Sequence, residues 1–439
     1  MQYKIFWCKV NKYYTDKWLN SDYLKDKQGI FVASCVVTDQ AKRKWIKFIK
    51  DIFKEVKEVP VPKTLGTSTW NWKVYISWCG AFKEWEAQQD FFELYPELKE
   101  FKWRIEILGE DPEEKKLDWK KQINFDKLKK LTQNQIYTKK FVLIQWGCDS
   151  FCSFCLTVQK RWRHYFRAKE DIVEEIQDFV KVWGKEVVLT WINLAAWWLD
   201  STNPEISPVN SISEVKSKLF ELLEYILENT SIKRLRISSL WPEFVDEKLL
   251  KIFENSRIYP HFHFSVQSWS NNVLKEMRRH YTWDFMKDIL LKLRSIKRKD
   301  NIKISIWADI IVGFPGETEE DFKQTLDLIE TCKITKLHAF PFSAHKLWEN
   351  VPAWFYKEQT SDKVKKDRMN RILELSDKIR NNFILENIWD IFEILVEQVD
   401  EKWNWKGWTQ NYIEASNENI EVLSWDIKKN EIIIWKLKK

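Results

Sequence analysis

The sequence is short of glycine. It has 9 glycines in 439 residues, where a chain of that length ordinarily carries roughly 30. It also lacks any uninterrupted apolar run near the roughly 20 residues that span a bilayer. Met1-Gln-Tyr-Lys-Ile-Phe reads as a short strand rather than a signal peptide, so a cytoplasmic protein without membrane contact is expected. Seven cysteines, an odd number in clustered positions, exclude a disulfide scaffold and point to metal chemistry in a reducing compartment. The net charge of +7 is compatible with a nucleic-acid partner without demonstrating one. What fills the glycine deficit is tryptophan: 27 Trp and 9 Gly sum to 36, close to an ordinary glycine content alone.

The stretch that organises the chain is Cys148-Asp-Ser-Phe-Cys152-Ser-Phe-Cys155, directly after the apolar run Phe141–Ile144. Three thiolates on one short loop suit an iron–sulfur cluster, whose irons normally take four cysteine ligands. The missing fourth ligand leaves one iron open to bind and activate a substrate. A structural zinc site would need a second ligand pair at knuckle spacing. None follows: the next cysteine is Cys332, read as a buried helix residue, and His164 stands alone.

Residues 1 to 105 hold three apolar runs that each end in a cysteine: Tyr3-Lys-Ile-Phe-Trp-Cys8, Ile30-Phe-Val-Ala-Ser-Cys35 and Val74-Tyr-Ile-Ser-Trp-Cys79. Helical patterns between them imply a parallel sheet, whose strands end along one edge. Cysteines far apart in sequence can converge there as a second cluster site. A lone cysteine at a strand end is usually a small buried hydrophobe, but three in one position are harder to dismiss. Residues 106–138 form a Lys-rich charged linker.

From Phe141 to Ser343 strands and helices alternate. Six strand–helix units predict an incomplete (β/α)6 barrel within residues 139–375, with the cysteine loop at the carboxyl-end face. Residues 376–439 switch to short alternating strands and read as a small β-barrel. The expected class is α/β: a parallel cluster domain, a partial barrel and a small β-barrel.

These motifs together resemble the tRNA methylthiotransferases, a family of radical S-adenosylmethionine enzymes, over nearly the whole chain. The resemblance implies two [4Fe–4S] clusters and S-adenosyl-L-methionine as cofactors, and a C-terminal TRAM barrel. The radical cluster falls on Cys148, Cys152 and Cys155, which also carry the catalysis. The auxiliary cluster falls on Cys8, Cys35 and Cys79. The family cleaves the cofactor to a 5′-deoxyadenosyl radical, which abstracts hydrogen from carbon 2 of an adenosine next to the anticodon. A methylthio group is then transferred to that carbon. The implied partners are the tRNA anticodon loop, a reducing electron donor and a sulfur donor. Cys-Lys-Val-Asn at Cys8–Asn11, Ser265-Val-Gln-Ser, Arg278-Arg-His-Tyr-Thr, Gly313-Phe-Pro-Gly-Glu-Thr and His338-Ala-Phe-Pro-Phe-Ser resemble the subfamily that modifies N6-threonylcarbamoyladenosine.

Asn193 and Gln267, near strand ends, are candidates for cofactor contacts; hydrogen bonds to strand-end backbone would explain either residue equally well. Lys160-Arg-Trp-Arg-His-Tyr-Phe-Arg-Ala-Lys mixes cations with aromatics, as single-stranded RNA recognition requires, although such a run also suits a solvated helix start. Residues 381–439 hold 7 Lys+Arg and 11 Asp+Glu, a net of −4 that leaves +11 on residues 1–380. A basic RNA-binding face is therefore not visible in the tail. That leaves methylthiolation of isopentenyladenosine in tRNA, or of a ribosomal-protein aspartate, as alternative activities. A non-catalytic iron–sulfur RNA-binding protein is a third, and the open coordination site argues against it.

The departures from the family follow one pattern. Trp7, Trp78, Trp146, Trp162, Trp191 and Trp269 stand at family glycines, and Trp403-Asn-Trp-Lys-Gly-Trp reads as a glycine-rich hairpin turn. Glycine at such sites supplies positive φ without steric cost. The expectation is that most of these tryptophans are glycines in the native protein, through a code that reads UGA as glycine.

Overall fold

The structure is a computed structural model. It describes residues 1–6, 9–34, 39–58, 72–77, 88–109, 138–148, 150–157, 165–191, 218–344, 351–418, 420–422 and 427–437.

The N-terminal unit is a four-stranded parallel sheet in the order β1 (Gln2–Ile5), β2 (Gly29–Ala33), β3 (Lys73–Ser77), β4 (Ile105–Leu108). Helices α1 (Lys9–Leu19), α2 (Asp39–Glu58) and α3 (Gln88–Leu94) connect its strands. Phe31, Val32, Tyr75 and Ile76 are all buried, as expected for strands covered on both faces. On α2 the i, i+4, i+8 series Trp45, Ile49, Phe53 is buried and joins Val32, Val74, Ile76 and Phe91 in one core. Gly29 is one glycine the chain retains for a visible reason: a Cβ there would meet the Lys73 carbonyl oxygen at 1.9 Å. The register sets Ile5, Ala33 and Ser77 side by side, so β1, β2 and β3 end on one line. The sheet runs to Leu108, past residue 105, because buried Ile105 and Leu108 pair with β3.

The central unit is the incomplete barrel. Its parallel strands are β5 (Lys139–Trp146), β7 (Glu186–Trp191), β8 (Arg234–Ile237) continuing into β9 (Ser239–Leu240), β10 (His261–Gln267), β11 (Ser305–Val312) and β12 (Lys336–Pro341). A short antiparallel strand, β6 (Tyr165–Phe166), flanks β5. The covering helices are α4 (Lys169–Lys181), α5 (Leu219–Asn229), α6 (Glu247–Ile252), α7 (Asn271–Glu276), α8 (Trp283–Ser295), α9 (Glu319–Thr331) and α10 (Asp362–Glu386). Strand alternation divides the side chains. Phe262, Phe264, Ile306, Ala308 and Ile310 share one core with Ile172, Leu222 and Leu290 of the helices. His261, His263, Trp307 and Asp309 take the opposite, inner face.

The amino-end floor of the barrel is charged and paired. Glu186 of β7 accepts from Arg234 Nε at 2.9 Å and Arg236 Nε at 2.7 Å, with Lys139 Nζ at 3.9 Å. Burial alone would raise the Glu186 carboxyl, but Arg236, then Arg234 and Lys139, outweigh it and hold it down at about 2. The same Arg236 donates to the carbonyls of Thr409 and Gln410, both at 2.9 Å, and Tyr412 stacks on His261. Those residues belong to a C-terminal five-stranded antiparallel sheet, β13 (Ile391–Val399), β14 (Trp405–Trp408), β15 (Glu414–Ser416), β16 (Ile420–Val422) and β17 (Ile432–Leu437), in the order β15-β14-β13-β17-β16. One of its loops thus closes the barrel floor. The boundary expected at 375/376 falls inside α10, whose 25 residues run from the barrel to Phe383 in the core of the C-terminal sheet. No helix among the described residues is long and apolar enough to cross a membrane.

Candidate active site: the cysteine loop

The loop begins where β5 ends. Gly147, at φ +90°, turns the chain after Trp146, a conformation that costs an L side chain roughly 1–2 kcal/mol. Buried Gln145 braces the turn: its Nε2 donates to the carbonyls of Trp146 and Gly147, both at 2.7 Å. Trp146, one of the tryptophans at a family glycine, meets Tyr14 of α1 edge-to-face at 5.5 Å. Beyond the turn, Ser153 ties the loop to the end of α7, its N–H donating to Met277 O at 3.2 Å and its Oγ to Glu276 O at 2.7 Å. Ala353 N–H donates to Ser153 O at 2.9 Å, and Cys155 N–H to Cys152 O at 3.1 Å. The three cysteines are therefore held by backbone bonds to distant segments.

Cys148 and Cys152 are buried and Cys155 is half-buried. Burial pushes the Cys148 thiol up to about 12. The Cys152 thiol is also raised by burial, although Arg279 opposes the shift. Buried thiols of this kind become thiolates when a metal cation compensates the lost hydration. The donor set fits an iron–sulfur cluster: three sulfurs on one braced loop, with Cys155 bonded only locally to Thr157 Oγ1 at 3.1 Å.

Arg279 completes the site, and it is the residue that the spacing of the cysteines could not reveal. Its Nη1 lies 3.6 Å from Cys152 Sγ, its Nη2 donates to Ser265 O at 3.1 Å, and its Nε to Tyr281 Oη at 3.3 Å. Trp241 lies against the guanidinium at 3.9 Å. Glu243 Oε1 stands 4.0 Å away, and both Glu243 oxygens are buried without a hydrogen-bond partner. The only sequence signal was the Arg278-Arg-His-Tyr-Thr segment. Gln267 lies at the end of β10, half-buried and at φ +68°, where the pairing with β11 is irregular. Cys8, Cys35, Cys79 and Asn193 lie outside the described residues, as do residues 158–164 of the basic–aromatic segment. Cys332 is buried at the end of α9 in the barrel's helix-facing core, as expected of a packing residue.

The Gly313-Phe-Pro-Gly-Glu-Thr turn proves to be a brace. Glu317 Oε2 accepts from Gly313 N–H at 2.7 Å and from Arg368 Nη1 at 2.6 Å, and Thr318 forms a capping box with Asp321.

Residues 142–329 match the Radical SAM superfamily. The chain is 31% identical over 301 residues to a protein of Bacillus subtilis named threonylcarbamoyladenosine tRNA methylthiotransferase MtaB, covering 67% of this chain and 62% of that one. It is 33% identical over 262 residues to a tRNA-2-methylthio-N(6)-dimethylallyladenosine synthase of Desulforamulus reducens, covering 59% of this chain and 53% of that one. The matches thus span less than two thirds of these relatives' length. Among solved structures, a radical S-adenosylmethionine methyltransferase, TsrM, from Kitasatospora setae is 13% identical over 76% of this chain and 71% of that one, with a TM-score of 0.43. Over the matched residues the chain is thus similar to radical S-adenosylmethionine proteins, tRNA methylthiotransferases among them.

Proposed function

We propose that the protein adds a methylthio group to carbon 2 of N6-threonylcarbamoyladenosine next to the anticodon of tRNA, in the cytoplasm. The observation that carries the reading is the braced Cys148–Cys152–Cys155 loop at the mouth of the barrel, with the buried Arg279 guanidinium against Cys152. When bound there, a [4Fe–4S] cluster with S-adenosylmethionine supplies the radical that abstracts hydrogen. The protein's own part is positional. Ser153 and Ala353 fix the loop, and Arg279 offsets thiolate charge. The choice of threonylcarbamoyladenosine is favoured by the MtaB relative, and isopentenyladenosine is the rival base.

A second [4Fe–4S] cluster on Cys8, Cys35 and Cys79 belongs to the same proposal. It is supported by the aligned ends of β1, β2 and β3 at Ile5, Ala33 and Ser77, each two or three residues before one of these cysteines. α1, which follows Cys8 in sequence, packs Tyr13 and Tyr14 against Phe141, Leu143 and Trp146 of the strand that leads into the radical loop. The C-terminal sheet would act as the TRAM module that helps to hold tRNA, and an electron donor and a sulfur donor complete the partners.

Reconstituted protein, reductant, S-adenosylmethionine and tRNA carrying threonylcarbamoyladenosine should yield the 2-methylthio nucleoside by mass spectrometry of the digest. Product only from isopentenyladenosine tRNA would reassign the substrate, and product from neither would refute the activity.

A further inference from the structure

The inner face of the barrel carries a polar cluster that the cysteine-loop chemistry does not use. His263, Asp309 and His338 sit on three neighbouring strands with their ligating atoms within 4.8 Å of one another. Nε2 of His263 hydrogen-bonds Asp309 Oδ1 at 2.7 Å, and Nδ1 of His338 stands 3.7 Å from the same oxygen. His263 is buried, whereas His338 keeps 32% of its side chain exposed. Beside them Lys336 Nζ lies 4.6 Å from the Trp307 ring, and the Arg380 guanidinium of α10 lies 5.7 Å from it. Burial disfavours both cations, and Arg380 also depresses Lys336. Arg380 Nη1 is buried with no hydrogen-bond partner, although Nη2 donates to Tyr412 O at 2.7 Å.

Two His and one Asp could hold a divalent metal, but the surroundings disfavour it. Asp309 is already bonded to His263, and a cation would have to enter beside Lys336 and Arg380. An anion meets a buried donor without a partner, a half-buried ammonium and an accessible imidazole, with Glu414, Asp377 and Asp309 as the opposing carboxylates. His338 also opens the segment on which the resemblance to the threonylcarbamoyladenosine enzymes rests. Resting on that substrate reading, we propose that this cluster is the subsite for the acidic substituent on N6 of the base. His338, Lys336 and Arg380 bind its carboxylate, while Asp309 and His263 position His338. An isopentenyl group has no charge and would offer these donors no acceptor.

The test compares anticodon stem-loops carrying threonylcarbamoyladenosine, its uncharged methyl ester, and isopentenyladenosine, bound to the reconstituted full chain. The native protein should prefer the acid over the ester by about tenfold, the worth of one charged hydrogen bond. Lys336→Met and His338→Gln should each bring that ratio to within about twofold. Retention of the full ratio in both variants, or its absence in the native protein, overturns the subsite. An equal loss for all three RNAs makes the cluster a phosphate contact and also overturns it. Failure of the substrate reading looks different: the native protein would then methylthiolate only the isopentenyl RNA.

A second inference rests on the backbone alone. Ten non-glycine residues among those described have positive φ, and three are tryptophan: Trp183 (+66°), Trp389 (+73°) and Trp403 (+61°). Each sits in a turn that ordinarily takes glycine. Trp183 follows α4 in a Schellman arrangement, with Gly184 N–H on Phe179 O at 2.9 Å and Trp183 N–H on Val180 O at 3.0 Å. Trp389 ends the turn from α10 into β13, its N–H on Leu437 O at 2.9 Å. Trp403 closes the β13–β14 hairpin, where Trp403 N–H meets Asp400 O at 3.0 Å and Asp400 N–H meets Asn404 O at 2.9 Å. That is the left-handed position of a glycine bulge. All three indoles are exposed, at 83%, 58% and 70%. An indole there gains little beyond the Lys436 ammonium 5.3 Å from the Trp389 ring, and its backbone is strained.

We infer that Trp183, Trp389 and Trp403 stand for glycine in the native polypeptide, through UGA codons read as glycine in the source. The gene should show UGA at all three positions, and native-protein peptides spanning them should weigh what glycine dictates. UGG codons, or peptides carrying the indole mass at these positions, overturn the inference.

Discussion

The N-terminal sheet and the barrel differ in how their cysteines are distributed along the sequence. In the barrel one strand end carries all three, and the loop that holds them is braced by Ser153, Gln145 and Ala353. In the N-terminal unit one cysteine follows each of β1, β2 and β3 in sequence, and in the second site proposed above the register of those strands is what would align them. A set on one loop depends on local turn chemistry and survives strain elsewhere in the domain. A set on three strand ends depends on the whole sheet. The two sites should therefore fail for different reasons.

The largest expected effect is at the loop. Replacing Cys148, Cys152 and Cys155 with Ala should abolish reductive cleavage of S-adenosylmethionine and remove about half the iron. Deoxyadenosine release and iron content measure both. Next comes the barrel floor. Glu186→Gln leaves Arg234, Arg236 and Lys139 without their shared carboxylate, and removing one partner of such a buried set costs about 3–5 kcal/mol. Urea unfolding should show that loss. The Glu186 carboxyl is held down at about 2 against an ordinary 4.5. Its contribution is thus fully present above about 4.5 and is lost as pH falls through 2. The native protein should lose stability across that window more steeply than the Gln variant. The smallest effect sharpens the comparison from outside both sites: Trp183→Gly should raise stability by about 1 kcal/mol by removing a left-handed L residue. An unchanged or lower thermal midpoint would mean that the indole compensates for its backbone.

Much of this was legible in the sequence where a local pattern carried it. The apolar run before Cys148 became β5, and Cys332, read as a buried helix residue, caps the end of α9. Spacing alone set Cys148, Cys152 and Cys155 on one loop after β5, where the structure has them. Arg279 was not readable, because its partners Cys152 and Glu243 lie 127 and 36 positions away and only the fold brings them together. The 375/376 boundary misplaced a domain edge because α10 is continuous and amphipathic composition does not mark where its neighbours change. Short β4 was assigned to the linker since four residues flanked by charge carry little periodicity. The His263–Asp309–His338 cluster was invisible for the same reason as Arg279: three separate strands supply it.

The measurement that tests the contrast most directly is made on the Cys8, Cys35, Cys79→Ala protein, assayed for iron, sulfide and deoxyadenosine after anaerobic reconstitution. Two sites with separate jobs predict about half the native iron with cleavage to deoxyadenosine intact and no methylthio product. Full iron content in that variant would contradict the second cluster, and loss of cleavage would contradict the independence of the two.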